Sequence, residues 1–225
     1  MDEQKKAPKN TESNTEKVLG HLILIVFVSA AVLLAISGLI KYMDAQTKTQ
    51  KVAATEKVGK PEIKQMFLTP NKYSRPGKAL NSVKGIVIHY TANPGSTAEE
   101  NRNYFENLRK KKTTYASSHF VVGIDGEIVQ CVPLDEIAYA SNDRNKDTIS
   151  IECCHPNKDG KFTKKTYDSL IQLVSWLCGK YNLKKDAIIR HYDVTGKMCP
   201  KYYVEHEDAW KKFKNDVFVY ISKKA

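Results

Sequence analysis

Three residues of this sequence have the types and spacing to hold a metal ion together. His89 stands near the end of one strand-like run. His191 ends a second (AIIRH), and Cys199 follows eight positions later in RHYDVTGKMCP. Two imidazoles and a thiolate are donors that zinc takes tetrahedrally, and three protein donors leave a fourth position for water, as in a catalytic centre. Glu152, in the run TISIE, is a carboxylate able to move a proton there. Lys197, two residues before Cys199, is a cation able to face a developing negative charge. The sequence has neither CxxC nor HExxH, so spacing alone leaves a plainer alternative open, in which each His serves its strand's core or surface. His119, before Phe120 in another strand, is a candidate cleft-lining residue, with a satisfied or exposed His as the alternative; His155 and His206 are read as surface residues.

These residues need strands and helices to bring them together. Lys84–Tyr90 (KGIVIHY) is apolar enough for a strand buried on both faces. Thr97 and Glu100 form a T-x-x-E capping box that opens a helix to about Lys112. His119–Ile124 and Glu127–Val132 flank Asp125-Gly126, a two-residue hairpin signal. Thr148–Cys154 and Ala187–His191 are further strands. Thr163 caps a helix with the stripe Tyr167, Leu170, Ile171, Val174 and Leu177, and a closing helix from Glu207 turns Trp210, Phe213, Val217 and Ile221 inward. The expected fold class is α/β: a mixed central β-sheet flanked by helices. His89 and His191 fall at strand ends, where sites gather in such folds.

Before this domain (61–225) the sequence has three other parts. Residues 1–17 are polar, with four Lys against four acids, and read as a tail. Residues 18–40 hold 18 apolar residues and no Asp, Glu, Lys or Arg. As a helix they span ~34 Å, enough to cross a ~30 Å hydrocarbon core. A signal peptide has a shorter apolar region ending at a small-residue cleavage site, so an uncleaved membrane anchor is the expectation. Residues 41–60 lack an apolar stripe and read as a basic stalk.

Composition narrows the partners. The 36 Lys and Arg exceed 25 acidic residues, for a net charge of +11, which favours an anionic partner: nucleic acid, a lipid surface or an acidic wall polymer. Only five of the 36 are Arg, the residue suited to bidentate base and phosphate recognition, and together with the apolar span this disfavours nucleic acid. Five Cys are too few for a disulfide scaffold. Cys153 and Cys154 point to opposite faces of their strand, Cys154 on the Glu152 side. A bridge from Cys131 to one of them is geometrically open, but buried free thiols are expected.

GIVIHYTA, SSHFVVGIDGEIVQCVP, DTISIE and RHYDVTGKMCP occur in this order at plausible distances. Together they resemble the zinc-dependent N-acetylmuramoyl-L-alanine amidases of the type-2 amidase family, which includes phage lysins and, more distantly, peptidoglycan recognition proteins. The resemblance covers about Ile63 to Lys224. It implies that His89, His191 and Cys199 are zinc ligands, that Glu152 is the catalytic carboxylate and that Lys197 matches a family lysine. Some members carry a Tyr just before the His-Phe pair; here Ser118 stands there, so the resemblance leaves the proton work to Glu152. It further implies a peptidoglycan substrate cut between N-acetylmuramic acid and the first alanine of the stem peptide. The amino terminus would then be cytoplasmic and the domain outside the cell membrane, against the wall and its anionic polymers. Two rivals remain: a non-catalytic peptidoglycan-binding module of the same fold, and a cysteine hydrolase using Cys199 with His191.

Overall fold

A computed structural model describes residues 14–56 and 58–224. The chain divides into two units, Met1–Gln50 and Lys51–Ala225. Of the expected tail, residues 1–13 lie outside the described residues, and Asn14 opens a single helix, α1 (Asn14–Glu56). The helix therefore continues through most of the expected stalk. Within it His21–Ala45 is long and apolar enough to cross a membrane, a few residues further along than the run 18–40, and none of it is buried. Phe27 and Leu34 are among its exposed apolar side chains. Its two serines are satisfied inside the helix: Ser29 donates to the Val26 carbonyl and Ser37 to that of Leu34, each at 2.9 Å.

The second unit carries a six-stranded mixed sheet. Its elements are β1 (Lys64–Gln65), β2 (Gly85–Tyr90), α2 (Ala98–Lys111), β3 (Phe120–Val122), β4 (Ile128–Gln130), β5 (Thr148–Cys153), α3 (Lys164–Tyr181), β6 (Ile188–Arg190), α4 (His191–Thr195), α5 (Lys201–Glu205) and α6 (Glu207–Lys224). The strand order is β1-β4-β3-β5-β2-β6. β3, β5, β2 and β6 run parallel, and only the β3–β4 pair is antiparallel. β2 is buried through its first five residues because helices cover both faces. On one face Ile86, Ile88 and Ile151 pack with Leu170, Leu173 and Leu177 of α3 and Trp210, Phe213 and Val217 of α6. On the other, Val121 and Val129 pack with Ala98, Phe105 and Leu108 of α2.

Local signals explain where these elements begin. The Thr97 hydroxyl accepts from the Glu100 N–H at 3.1 Å, and the Glu100 carboxylate accepts from the Thr97 N–H at 2.8 Å, the two halves of the capping box. The hairpin departs from expectation. Gly123 pairs with Glu127, the Gly126 N–H donates to the Gly123 carbonyl, and Gly126 has φ 89°. The connection is therefore a three-residue loop, Ile124–Gly126, ending in a left-handed glycine, rather than a two-residue turn. All five cysteines are free and buried. Cys153 packs on the α3–α6 face, while Cys131 and Cys154 pack on the α2 face.

Candidate active site

The carboxyl ends of three adjacent parallel strands converge on one cleft. β2 supplies His89 and β5 supplies Glu152, and the two are register partners across the pair. β6 runs directly into α4, whose first residue is His191. The Arg190 guanidinium fixes that junction. It is almost fully buried and donates to Asp193 at 2.8 Å, to the Tyr203 carbonyl at 2.8 Å and to Glu207 at 2.6 Å. Gly196, with φ 77°, ends α4 in the left-handed conformation. The chain then doubles back, and the Tyr192 N–H donates to the Cys199 carbonyl at 2.9 Å. One short helix and one glycine turn thus account for the eight-residue spacing between His191 and Cys199.

The donor atoms of His89, His191 and Cys199 lie within 4.8 Å of one another and could hold a metal ion. Cys199 Sγ is 3.7 Å from His89 Nδ1. Two tetrahedral zinc ligands of these types stand about 3.6 Å apart, so the spacing suits zinc. The outer nitrogens support this. His89 Nε2 is 3.1 Å from Ser141 Oγ, and His191 Nε2 is 3.0 Å from Asn142 Oδ1. An N–H on each Nε2 donated to these oxygens leaves each Nδ1 lone pair free for a cation, the tautomer that ligand histidines adopt. Burial, then the His191 and Lys197 charges, hold the His89 pKa well below its ordinary value; burial and Lys197 lower that of His191. Both rings are therefore neutral near pH 7, as donors must be.

Glu152 stands beside this trio, with Oε1 4.0 Å from His89 Nδ1. Its Oε2 is buried and has no hydrogen-bond partner among the described residues. Burial, opposed by Lys197, pushes its pKa up to about 8. A desolvated carboxyl with an unfilled oxygen is what a site keeps for a water or substrate group. The cleft encloses about 500 Å³, and Lys197, Asn145, Tyr104, Tyr115 and Tyr139 also line it.

Ser141 and Asn142 were not singled out by sequence reasoning. Asn142 opens a short 3-10 turn (Asn142–Lys146) and Ser141 precedes it; Asn145 pins this start by accepting the Ala140 and Ser141 N–H groups at 3.0 and 2.6 Å. Asn142 itself sits at φ 51°, a conformation that Asn tolerates. The only local trace is the polar run S-N-D-x-N.

His119 does not line the cleft. Its ring is buried: Nδ1 accepts the Ser150 N–H at 3.0 Å, and Nε2 lies 2.9 Å from the Glu136 carbonyl, to which it donates. His155, expected at the surface, is likewise buried and stacks on Tyr90. Burial lowers the His119 pKa to about 4, against smaller opposing effects of Glu136. Below pH 6.5 the unfolded chain takes up a proton that the folded chain refuses. Stability present above pH 6.5 is thus lost as pH falls towards 4, by up to about 3 kcal/mol. Urea unfolding across this range should show that acid loss, and His119→Gln should flatten it by one proton. An unchanged slope would refute the assignment.

A mixed sheet of this order, with two His and a Glu at its strand ends and a Cys in the loop after α4, is the type-2 amidase class of fold, shared with solved amidase structures. The chain belongs to the N-acetylmuramoyl-L-alanine amidase family, which it matches over residues 79–202. Among curated relatives, the amidase BlyA of Bacillus subtilis strain 168 is 36% identical over 180 residues, covering 71% of this chain and 47% of BlyA. The amidase CwlL of Bacillus licheniformis is 34% identical over 170 residues, covering 69% of this chain and 46% of CwlL. The chain spans about half the length of these relatives. Among solved structures, the catalytic domain of XlyA superposes with a TM-score of 0.59 at 30% identity, covering 70% of this chain and 99% of that one. PlyL gives 0.60 at 26% identity, covering 70% and 97%.

Proposed function

We propose that this chain is a zinc-dependent peptidoglycan hydrolase that cleaves the amide between N-acetylmuramic acid and L-alanine. The observation that carries this reading is the gathering of His89, His191 and Cys199 in one open cleft beside the Glu152 carboxyl, whose Oε2 has no partner among the described residues. Zinc, held by those three, would supply Lewis acidity to the amide carbonyl and lower the pKa of a bound water. Glu152 takes the proton of the attacking water and delivers it to the leaving alanine amine, because an amide does not expel its nitrogen unprotonated. Lys197 lines the same cleft and faces the oxygen on which negative charge develops.

The apolar helix His21–Ala45 is proposed to anchor the domain in the cell membrane, with the amino terminus cytoplasmic and the domain facing the wall. Its wholly exposed apolar surface is poorly matched to water and well matched to lipid. The net charge of +11 favours anionic wall polymers as a second contact.

The test is digestion of purified peptidoglycan by the full chain in detergent, read as free amino-terminal alanine on released stem peptides. Release is expected, and it separates the enzyme from a module that only binds wall. Tight wall binding with no new amino termini would overturn the catalytic reading.

A further inference from the structure

One wall of the cleft is built from tyrosines that the chemistry above does not use. Tyr115 is the most exposed large apolar side chain of the described domain at 57%, and Tyr104 follows among the aromatics at 49%. Both line the cleft, as does Tyr139. Singly exposed apolar side chains are ordinary, but exposed tyrosines gathered on one cleft form a candidate contact surface.

The rings are also held in place. One face of Tyr115 stacks on Tyr73, with centroids 5.2 Å apart and planes at 29°, and Tyr115 and Tyr139 meet edge to face at 5.8 Å and 88°. Backbone bonds clip the three segments together. Ala116 N–H donates to the Tyr73 carbonyl at 3.1 Å, and Ser117 N–H donates to the Tyr139 carbonyl at 3.0 Å. The Ser117 hydroxyl in turn accepts the Tyr139 N–H at 2.9 Å. Asn71 Oδ1 accepts the Tyr73 N–H at 2.8 Å, and the next turn is tied down by Arg75 paired with Glu136 at 2.6 Å. Tyr115 is thus backed by Tyr73 and tied down at its flanks, yet stays 57% exposed beside the cleft, whereas a merely tolerated surface ring would have no such backing.

Building on the amidase reading, we infer that this tyrosine wall, with Tyr115 at its centre, is the subsite for the sugar ring on the glycan side of the scissile bond. A pyranose offers a flat C–H face that packs on an aromatic ring while its hydroxyls stay in water. The stem peptide begins with alanine, whose methyl group gives a ring little to hold, and its carboxylates are better met by Lys197, which comes from the loop after α4 and not from the tyrosine segments. A fixed ring loses little entropy on binding, so its contribution appears in affinity.

The experiment compares two substrates with the full chain in detergent: a glycan-linked muropeptide, and the same stem peptide carrying only a lactoyl group on its alanine. The readouts are the ratio of kcat/KM between the substrates and the KM for the glycan-linked one. Tyr115→Ala should lower the ratio about tenfold through KM, and Tyr115→Phe should keep it, because the ring and not the hydroxyl acts. An equal loss on both substrates, or no loss on either, overturns the sugar subsite. Calorimetric binding of peptide-free glycan strands to Glu152→Gln protein, with and without Tyr115→Ala, separates this idea from the amidase reading. Glycan binding weakened about tenfold by Tyr115→Ala supports the wall even in a chain that hydrolyses nothing. Unchanged binding refutes it even in an active enzyme.

Discussion

Glu152→Gln should lower kcat by about 10²–10⁴-fold on peptidoglycan, leaving zinc content and fold intact. Gln keeps the volume and one oxygen of Glu but cannot accept a proton, so the variant isolates proton transfer from packing. The wild-type environment favours a base: the carboxyl is desolvated, one oxygen lacks a partner among the described residues, and burial pushes its pKa up to about 8 against the pull of Lys197. Oε1 stands 4.0 Å from His89 Nδ1, beside the donor set and outside it, so its loss removes no ligand. Metal analysis and single-substrate kinetics on the same preparation provide the check. A variant within about threefold of wild type, with normal zinc, would take Glu152 out of the chemistry; a variant that also loses zinc would make it a ligand.

Much of this site was legible because its parts sit on strong local signals. The run GIVIHY has to be a buried strand, and its burial carries His89 to a strand end. The T-x-x-E box starts α2 as expected, and the inward stripe of α6 is buried at all four expected positions. What escaped depends on loops converging from distant parts of the chain. Ser141 and Asn142 reach His89 and His191 from about 50 residues away, and a polar turn does not announce which ring it will face. Tyr73, Tyr115 and Tyr139 share no periodicity; their stacking needs the cross-loop hydrogen bonds at Ala116 and Ser117. For a related reason the sequence leaves His119 open between cleft-lining and satisfied, and the structure shows it satisfied. Strand alternation gives the face on which a side chain projects, but not whether a backbone amide and carbonyl 31 and 17 residues away will satisfy and bury it.

Removal of the metal should abolish hydrolysis, and the Cys199 variants should show why. A chelator is expected to take activity and zinc together, with both restored by added zinc at about one ion per chain. The rival mechanism makes Cys199 a nucleophile. The surroundings argue against it: burial and then the Glu152 charge push its pKa up to about 12, so no thiolate forms unaided at neutral pH. Burial holds the pKa of His89, 3.7 Å from the sulfur, well below the ordinary value, and burial with Lys197 lowers that of His191, the rival's base, so neither ring supplies an imidazolium to favour a thiolate. A thiol in that position becomes an anion only beside a cation, which is the demand a metal ligand meets. Cys199→Asp retains an anionic donor that zinc accepts; Cys199→Ala retains none. Asp should therefore keep measurable zinc and turnover, while Ala loses both. A chelator-resistant activity that Asp and Ala abolish equally would establish the cysteine nucleophile instead, because a carboxylate can replace a thiolate as ligand but not as the attacking sulfur.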